Sequence, residues 1–270
     1  MYNLTIQNGS FRQHITVNKS SLIQGRKLII VDSQNCKLVE DGELHCMEVL
    51  FELNKKFSDN LVKFVSEPNN LRKTADLKAR ALAYLGEEIS TCHDIQTNQI
   101  EICKIFDEVF ADLVLSLYFT GCALDKPAHS VLRRSLELGI AIVYLWDLPH
   151  IFWGWKSHNQ DLNFNDMLDH LSKESYKTFL TSINPGHTFE TMIDFKEATN
   201  LYRTLSDTVH GKISTHESNL ADRFMHNSTD SQRNLQFILR VEDVLLELFR
   251  NRFPDGYELM AVKIPAITKS

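Results

Sequence analysis

The segment Leu132 to Trp146 constrains the fold more than any other part of the chain. Its latter half, Leu138-Gly139-Ile140-Ala141-Ile142-Val143-Tyr144-Leu145-Trp146, is uncharged and ends at Asp147 and Pro149. Nine residues are about half of what a membrane-spanning helix needs. The segment therefore reads as a helix enclosed by other helices. A helix so apolar must bring its few charges to partners, and Arg133 and Glu137, four residues apart, share one of its faces.

The hydrophobic period changes near each end of the chain. Residues 1 to about 40 alternate as strands do, in Leu4-Thr5-Ile6, His14-Ile15-Thr16-Val17 and Lys27-Leu28-Ile29-Ile30-Val31, with Asn8-Gly9 and Gly25 as turn residues. From about Leu44 the apolar residues Met47, Leu50, Phe51, Phe57, Leu61, Phe64 and Val65 recur at helical steps, closed by Pro68-Asn69-Asn70. Further helices are expected at about 72–91, 95–121, 126–148, 163–182, 189–211 and 230–252. Asp125 suits the N-cap of the helix over 126–148. After Pro254-Asp255-Gly256, the run Tyr257 to Ile264 reads as a strand, which would dock on the N-terminal strands. The expectation is a mainly α protein: a β-rich appendage over 1–43, a helical bundle over 44–255 and a C-terminal strand over 256–270.

Composition bounds the function. Of 270 residues, 43% are hydrophobic and 24% charged, as in an ordinary soluble globular protein, and the net charge of −6 argues against nucleic-acid binding by bulk electrostatics. Any RNA contact must be local. The five cysteines, Cys36, Cys46, Cys92, Cys103 and Cys122, form no CxxC pair and follow no signal-like N-terminus, which points to reduced thiols, a cytoplasmic location and no membrane anchor. His150, His158, His170, His187, His216 and His226 lack HxxxH or HExxH spacing, so no metal is expected, and the lone Cys92-His93 pair has no second pair beside it. Walker and Rossmann glycine patterns are missing, so no nucleotide cofactor is expected. Ile151-Phe152-Trp153-Gly154-Trp155 could stack bases, but core packing or a protein interface explains it more simply.

The chemistry-bearing stretch is Leu201-Tyr202-Arg203-Thr204-Leu205-Ser206-Asp207-Thr208-Val209-His210-Gly211. With Leu201 at zero on a helical wheel, Leu205 and Val209 fall at roughly 40° and 80°, whereas Arg203, Asp207 and His210 fall between roughly 180° and 240°. Gly211 stands where a left-handed residue would end the helix. A guanidinium can clamp phosphate oxygens with two parallel hydrogen bonds, and an imidazole can exchange a proton near neutral pH. Arg203 is thus the candidate phosphate clamp, His210 the candidate acid or base, and Asp207 the group that would orient it. Arg133 and Glu137 would face this stripe and complete a substrate-binding pocket. The alternatives are an intrahelical Arg133–Glu137 ion pair and a solvated face on the later helix.

Three segments, Leu132 to Trp146, Leu162 to Asp169, and Leu205 to Gly211, occur in an order that resembles HEPN-like helical proteins of the abortive-infection and phage-defence branch. The resemblance spans about residues 95–250. The family's Arg and His, with four to six residues between, match Arg203 and His210, which are separated by six. In active members the resemblance implies a metal-independent RNase whose site forms where two protomers meet, hence a homodimer. The residue after the arginine is usually Asn, Asp or His, and here it is Thr204. Two functions follow. One is a bacterial antiviral RNase effector. The other is a non-catalytic HEPN-like subunit of a phage-defence complex containing an SMC-like ATPase or a nuclease, to which the terminal strand regions or Trp153 and Trp155 would bind.

Overall fold

Burying Leu132 to Trp146 takes neighbours around most of its circumference, and the chain supplies them as helices. The computed structural model describes residues 2–8, 11–17, 41–91, 95–212 and 224–269, with side chains described within these ranges from residue 48 to residue 267. The described residues are mainly helical and divide by contacts into two units, 1–55 and 56–270.

In the first unit, β1 (Tyr2–Asn8) pairs antiparallel with β2 (Phe11–Val17), Tyr2 opposite Val17 and Asn8 opposite Phe11. The strand expected at Lys27–Val31 lies outside the described residues. Helix α1 (Asp41–Ser66) begins in this unit and ends in the second.

The second unit holds α2 (Asn70–Ser90), α3 (Thr97–Gly121), α4 (Asp125–Asp147), α5 (Pro149–Lys156), α6 (Phe164–Ser172), α7 (Glu174–Ile183), α8 (Phe195–Val209), α9 (Ser228–Arg252) and α10 (Pro254–Lys263). Helix α4 carries the apolar segment and packs against α3, α5, α6, α8 and α9. Leu132, Leu136, Ile140, Ile142 and Leu145 are fully enclosed. Gly139 permits the closest approach: a Cβ there would stand 2.3 Å from Leu245 Cδ2 of α9.

Side chains of the expected chemistry start several helices. Asn69, Asn163, Asp194 and Asn227 are N-caps that accept backbone N–H groups of the first turn. At the end of α1, the Arg72 guanidinium donates to the carbonyls of Phe64 and Val65, filling acceptors the helix leaves open.

The elements differ from the sequence reading in several places, and α5 was not expected at all. The segment 163–182 is two helices, because Lys173 adopts an extended conformation (φ −70°, ψ 140°) between α6 and α7. Helix α8 begins at Phe195, where Asp194 caps it, rather than near 189. Asp125 is the first residue of α4, not its cap, and its carboxylate accepts a hydrogen bond from α9. The tail is helical where a strand was expected. Pro254 opens α10, for which its fixed φ is well suited, and a 3-10 turn follows at Pro265–Lys269. Phe253, Gly256, Met260, Ile264 and Ile267 are buried at three- and four-residue steps, against α2 and α9, whereas Leu259 and Val262 are exposed. The apolar run concealed a helical period.

Candidate functional site

Helix α8 turns Ala198, Leu201 and Leu205 into the core with no exposure, and its opposite side carries Arg203 and His210. Both of these side chains are exposed, and among the described residues neither has a hydrogen-bond or ion-pair partner. The helix ends as the sequence indicated. His210 is the C-cap, and Gly211 takes the left-handed conformation at φ +61°. The Asp207 carboxylate pairs with Lys212 rather than orienting the His210 imidazole. Lys212 also donates its backbone N–H to the Asp207 carbonyl (3.1 Å), so the chain reversal at Gly211 returns a cation to that carboxylate. Thr204 donates its hydroxyl to the Asn200 carbonyl within its own helix (2.8 Å).

Arg133 and Glu137 do not join this stripe. Both are partly buried and form the intrahelical pair (3.3 Å), and both bond the hydroxyl of Tyr202. Arg133 Nη2 is 2.6 Å from the phenol oxygen, and the phenol donates to Glu137 Oε1 at 3.2 Å. Arg133 also lies 4.7 Å from the centre of the Tyr202 ring, which stacks on Phe164 at 3.9 Å. The reason is angular. The side of α8 that meets α4 ends at Tyr202, and Arg203 leaves the helix roughly 100° further round. The expected pocket is two separate groups, one facing inward and one facing solvent.

The structure also reveals a polar chain through the core that the sequence reading missed. His129 of α4 is 9% exposed. Its Nδ1 lies 3.1 Å from the Thr208 hydroxyl of α8, and its Nε2 lies 3.0 Å from Asn234 Oδ1 of α9. The Asn234 amide nitrogen in turn donates to Asp125 Oδ1 (2.6 Å). With the Asn234 oxygen as acceptor, Nε2 must carry the imidazole proton, and Nδ1 then accepts from Thr208. A neutral imidazole satisfies every link. Burial lowers the His129 pKa, opposed by Asn234 and Asp125, and burial raises the Asp125 pKa. Asp125 and His129 are four apart on α4, which is legible in sequence, but Asn234 and Thr208 come from distant segments that no spacing connects.

Other titratable groups are engaged structurally. Arg252 holds Asp147 through Nε and Nη2 at 2.6–3.2 Å, and Tyr176 donates to the same carboxylate at 2.7 Å. His170 packs edge-on to Tyr144, at 5.3 Å between ring centres. His226 Nε2 lies 3.0 Å from Glu67, which lowers the Glu67 pKa. In the aromatic segment, Phe152 is core, Trp155 packs against the core and Trp153 is exposed beneath the Lys156 ammonium. Among the described residues, no three His, Cys, Asp or Glu side chains are grouped to hold a metal ion, and no helix is long and apolar enough to cross a membrane. No family model, no curated protein and no solved structure matches this chain.

Proposed function

We propose that this chain is a HEPN-like antiviral defence protein and that it cleaves RNA without a metal ion through Arg203 and His210. The observation that carries the reading is that both side chains are exposed on one side of α8 and, among the described residues, have no hydrogen-bond or ion-pair partner. An arginine or histidine held in an internal ion pair would have to break it before meeting a phosphodiester. The adjacent 2′-hydroxyl of RNA would be the nucleophile, the His210 imidazole would move the proton, and the Arg203 guanidinium would stabilise the charge that develops on phosphate. A site on an exposed helix face is open on one side, which suits completion by a second copy of the chain.

The reading is tested by incubating a labelled single-stranded RNA with the purified chain in the presence of a chelator. Cleavage should leave 2′,3′-cyclic phosphates, and His210→Ala and Arg203→Ala should each slow it by about 10²-fold or more, with melting temperatures unchanged, because both side chains are exposed. Equal residual cleavage by wild type and both variants would mark contamination and end the proposal.

A second reading, a non-catalytic subunit of a defence complex, is favoured by two contacts. Asp207 is taken by Lys212 and does not orient His210, and the Thr204 hydroxyl turns back to its own helix. On that reading the wild type cleaves nothing in the same assay.

A further inference from the structure

We propose that α9 carries a subsite for one flanking nucleotide of a single-stranded RNA, its base in a cleft over Phe237 and its phosphates on Arg233 and Arg240. This rests on reading α8 as the RNA-cleaving face. The cleft measures about 250 Å³ and is lined by Arg233, Gln236, Phe237, Leu239 and Arg240. That is below the roughly 300 Å³ at which sites for whole small-molecule ligands begin, and it suits a single base. Arg233 and Arg240 stand two helical turns apart on one side of α9, both exposed, with Gln236 and Phe237 between them. The Arg240 guanidinium lies 5.6 Å from the centre of the partly exposed Phe237 ring. A base entering the cleft thus meets an aromatic face and a guanidinium plane, the two surfaces on which unstacked bases pack.

Charge on the neighbouring helix fits the same occupant. Helix α8 packs against α9, and Glu197 of α8 accepts from Arg240 Nε at 2.6 Å. Along α8, Lys196, Arg203 and His210 recur every seventh residue and are all exposed, a line with roughly 10 Å between successive members. Three carboxylates stand among these groups, and each is paired: Glu197 with Arg240, Asp207 with Lys212 and Asp230 with Arg233. Lys196 and Arg203 are left over among the described residues. The pairings take one nitrogen from each α9 guanidinium, Nε of Arg240 and Nη2 of Arg233, so each has further N–H groups to give a phosphate. A double helix keeps its bases stacked inside, so a base-sized cleft between two arginines selects a single strand. On α8, Arg203 leaves roughly 120° round from Glu197, which faces α9. The base in the cleft therefore belongs to a neighbour of the nucleotide being cleaved, not to that nucleotide itself.

The test measures binding apart from cleavage. A short, end-labelled single-stranded RNA with methylated 2′-hydroxyls cannot be cut by the proposed chemistry, and 2-aminopurine is placed at each of its positions in turn. Anisotropy of the label should show saturable binding to wild type, and 2-aminopurine at one position should be quenched as it stacks. Phe237→Leu, which keeps the cleft apolar, should lose the quenching and weaken binding about tenfold. Arg233→Gln and Arg240→Gln should each lower the slope of log affinity against log salt by about 0.7, with melting temperatures unchanged, whereas Arg250→Gln, at the far end of α9, should leave the slope as it is. The same sequence as a duplex should compete about tenfold less well than the single strand. Quenching that persists in Phe237→Leu, or a salt slope moved by neither arginine, overturns the subsite. So does competition by polyglutamate as strong as by the single strand, because the surface would then read charge alone and suit an acidic protein segment. If the methylated strand binds as described but unmethylated RNA is not cut, the subsite stands and the RNase reading fails. If RNA is cut without these binding signatures, the RNase reading stands and the subsite falls.

Discussion

Glu242 of α9 has no solvent exposure, and among the described residues neither of its carboxylate oxygens has a hydrogen-bond partner. Burial pushes its pKa well above the ordinary 4.5, with the nearby Lys78 ammonium acting against that rise. Lys78 is itself buried and is already paired with Asp243. A carboxyl whose pKa is raised by folding contributes its full stability below the unfolded value, and that contribution is lost as pH rises through the folded value. Glu242→Gln keeps the shape and abolishes the titration. Its melting temperature should exceed that of wild type at pH 8 by roughly 3 °C or more, and the gap should close as pH falls toward 4.5. A gap that does not vary with pH would mean Glu242 is charged in the folded state. Single-residue burial of this kind has no signature in the sequence. Glu242 sits beside Arg240 and Asp243, a stretch that looks solvated until the α2 face that covers it is known.

Individual helices were largely legible because apolar period and caps agree. The limits of α2, α3, α4 and α9 were readable to within about two residues, since Pro68 and Asn69 mark the start of α2 and Leu132 to Trp146 admits no alternative, and Gly211 marked the end of α8. Other features, α5 and the start of α8 among them, were not. The break at Lys173 carries no proline or glycine, and α10 was hidden because Leu259-Met260-Ala261-Val262 is apolar whichever period is assumed. Substitution separates the two periods for the tail. In a strand Met260 and Val262 would share a face, whereas in α10 Met260 is enclosed and Val262 is 78% exposed. Met260→Asp should cost about 3 kcal/mol or more by burying a charge without a partner. Val262→Asp should stay within about 0.5 kcal/mol of wild type in denaturant unfolding. Equal losses would restore the strand. In the candidate site, the residue types on α8 and their angular order were readable, and so was the Arg133–Glu137 pair. Its meeting with Tyr202 was not, because the rotation of α8 about its own axis against α4 is a tertiary choice.

Across residues 56–270 the core depends on elements far apart in the chain, and the α4–α9 crossing shows how little slack it has. Gly139→Ala would put a methyl group 2.3 Å from Leu245 Cδ2 and 2.9 Å from its Cδ1. Overpacking of this kind should cost about 1–3 kcal/mol, which urea unfolding at equilibrium would measure. Leu245→Ala in the same chain should recover part of the loss, and a double variant no better than the sum of its parts would place the strain elsewhere. The same crossing has a consequence during synthesis. Roughly a hundred residues separate the two sides of the contact, which at about 5–20 residues per second is several seconds or more of translation. Throughout that interval the apolar flank of α4 destined for α9 has left the ribosome with its cover still unmade. Apolar surface left open for that long is what makes a nascent chain prone to aggregate.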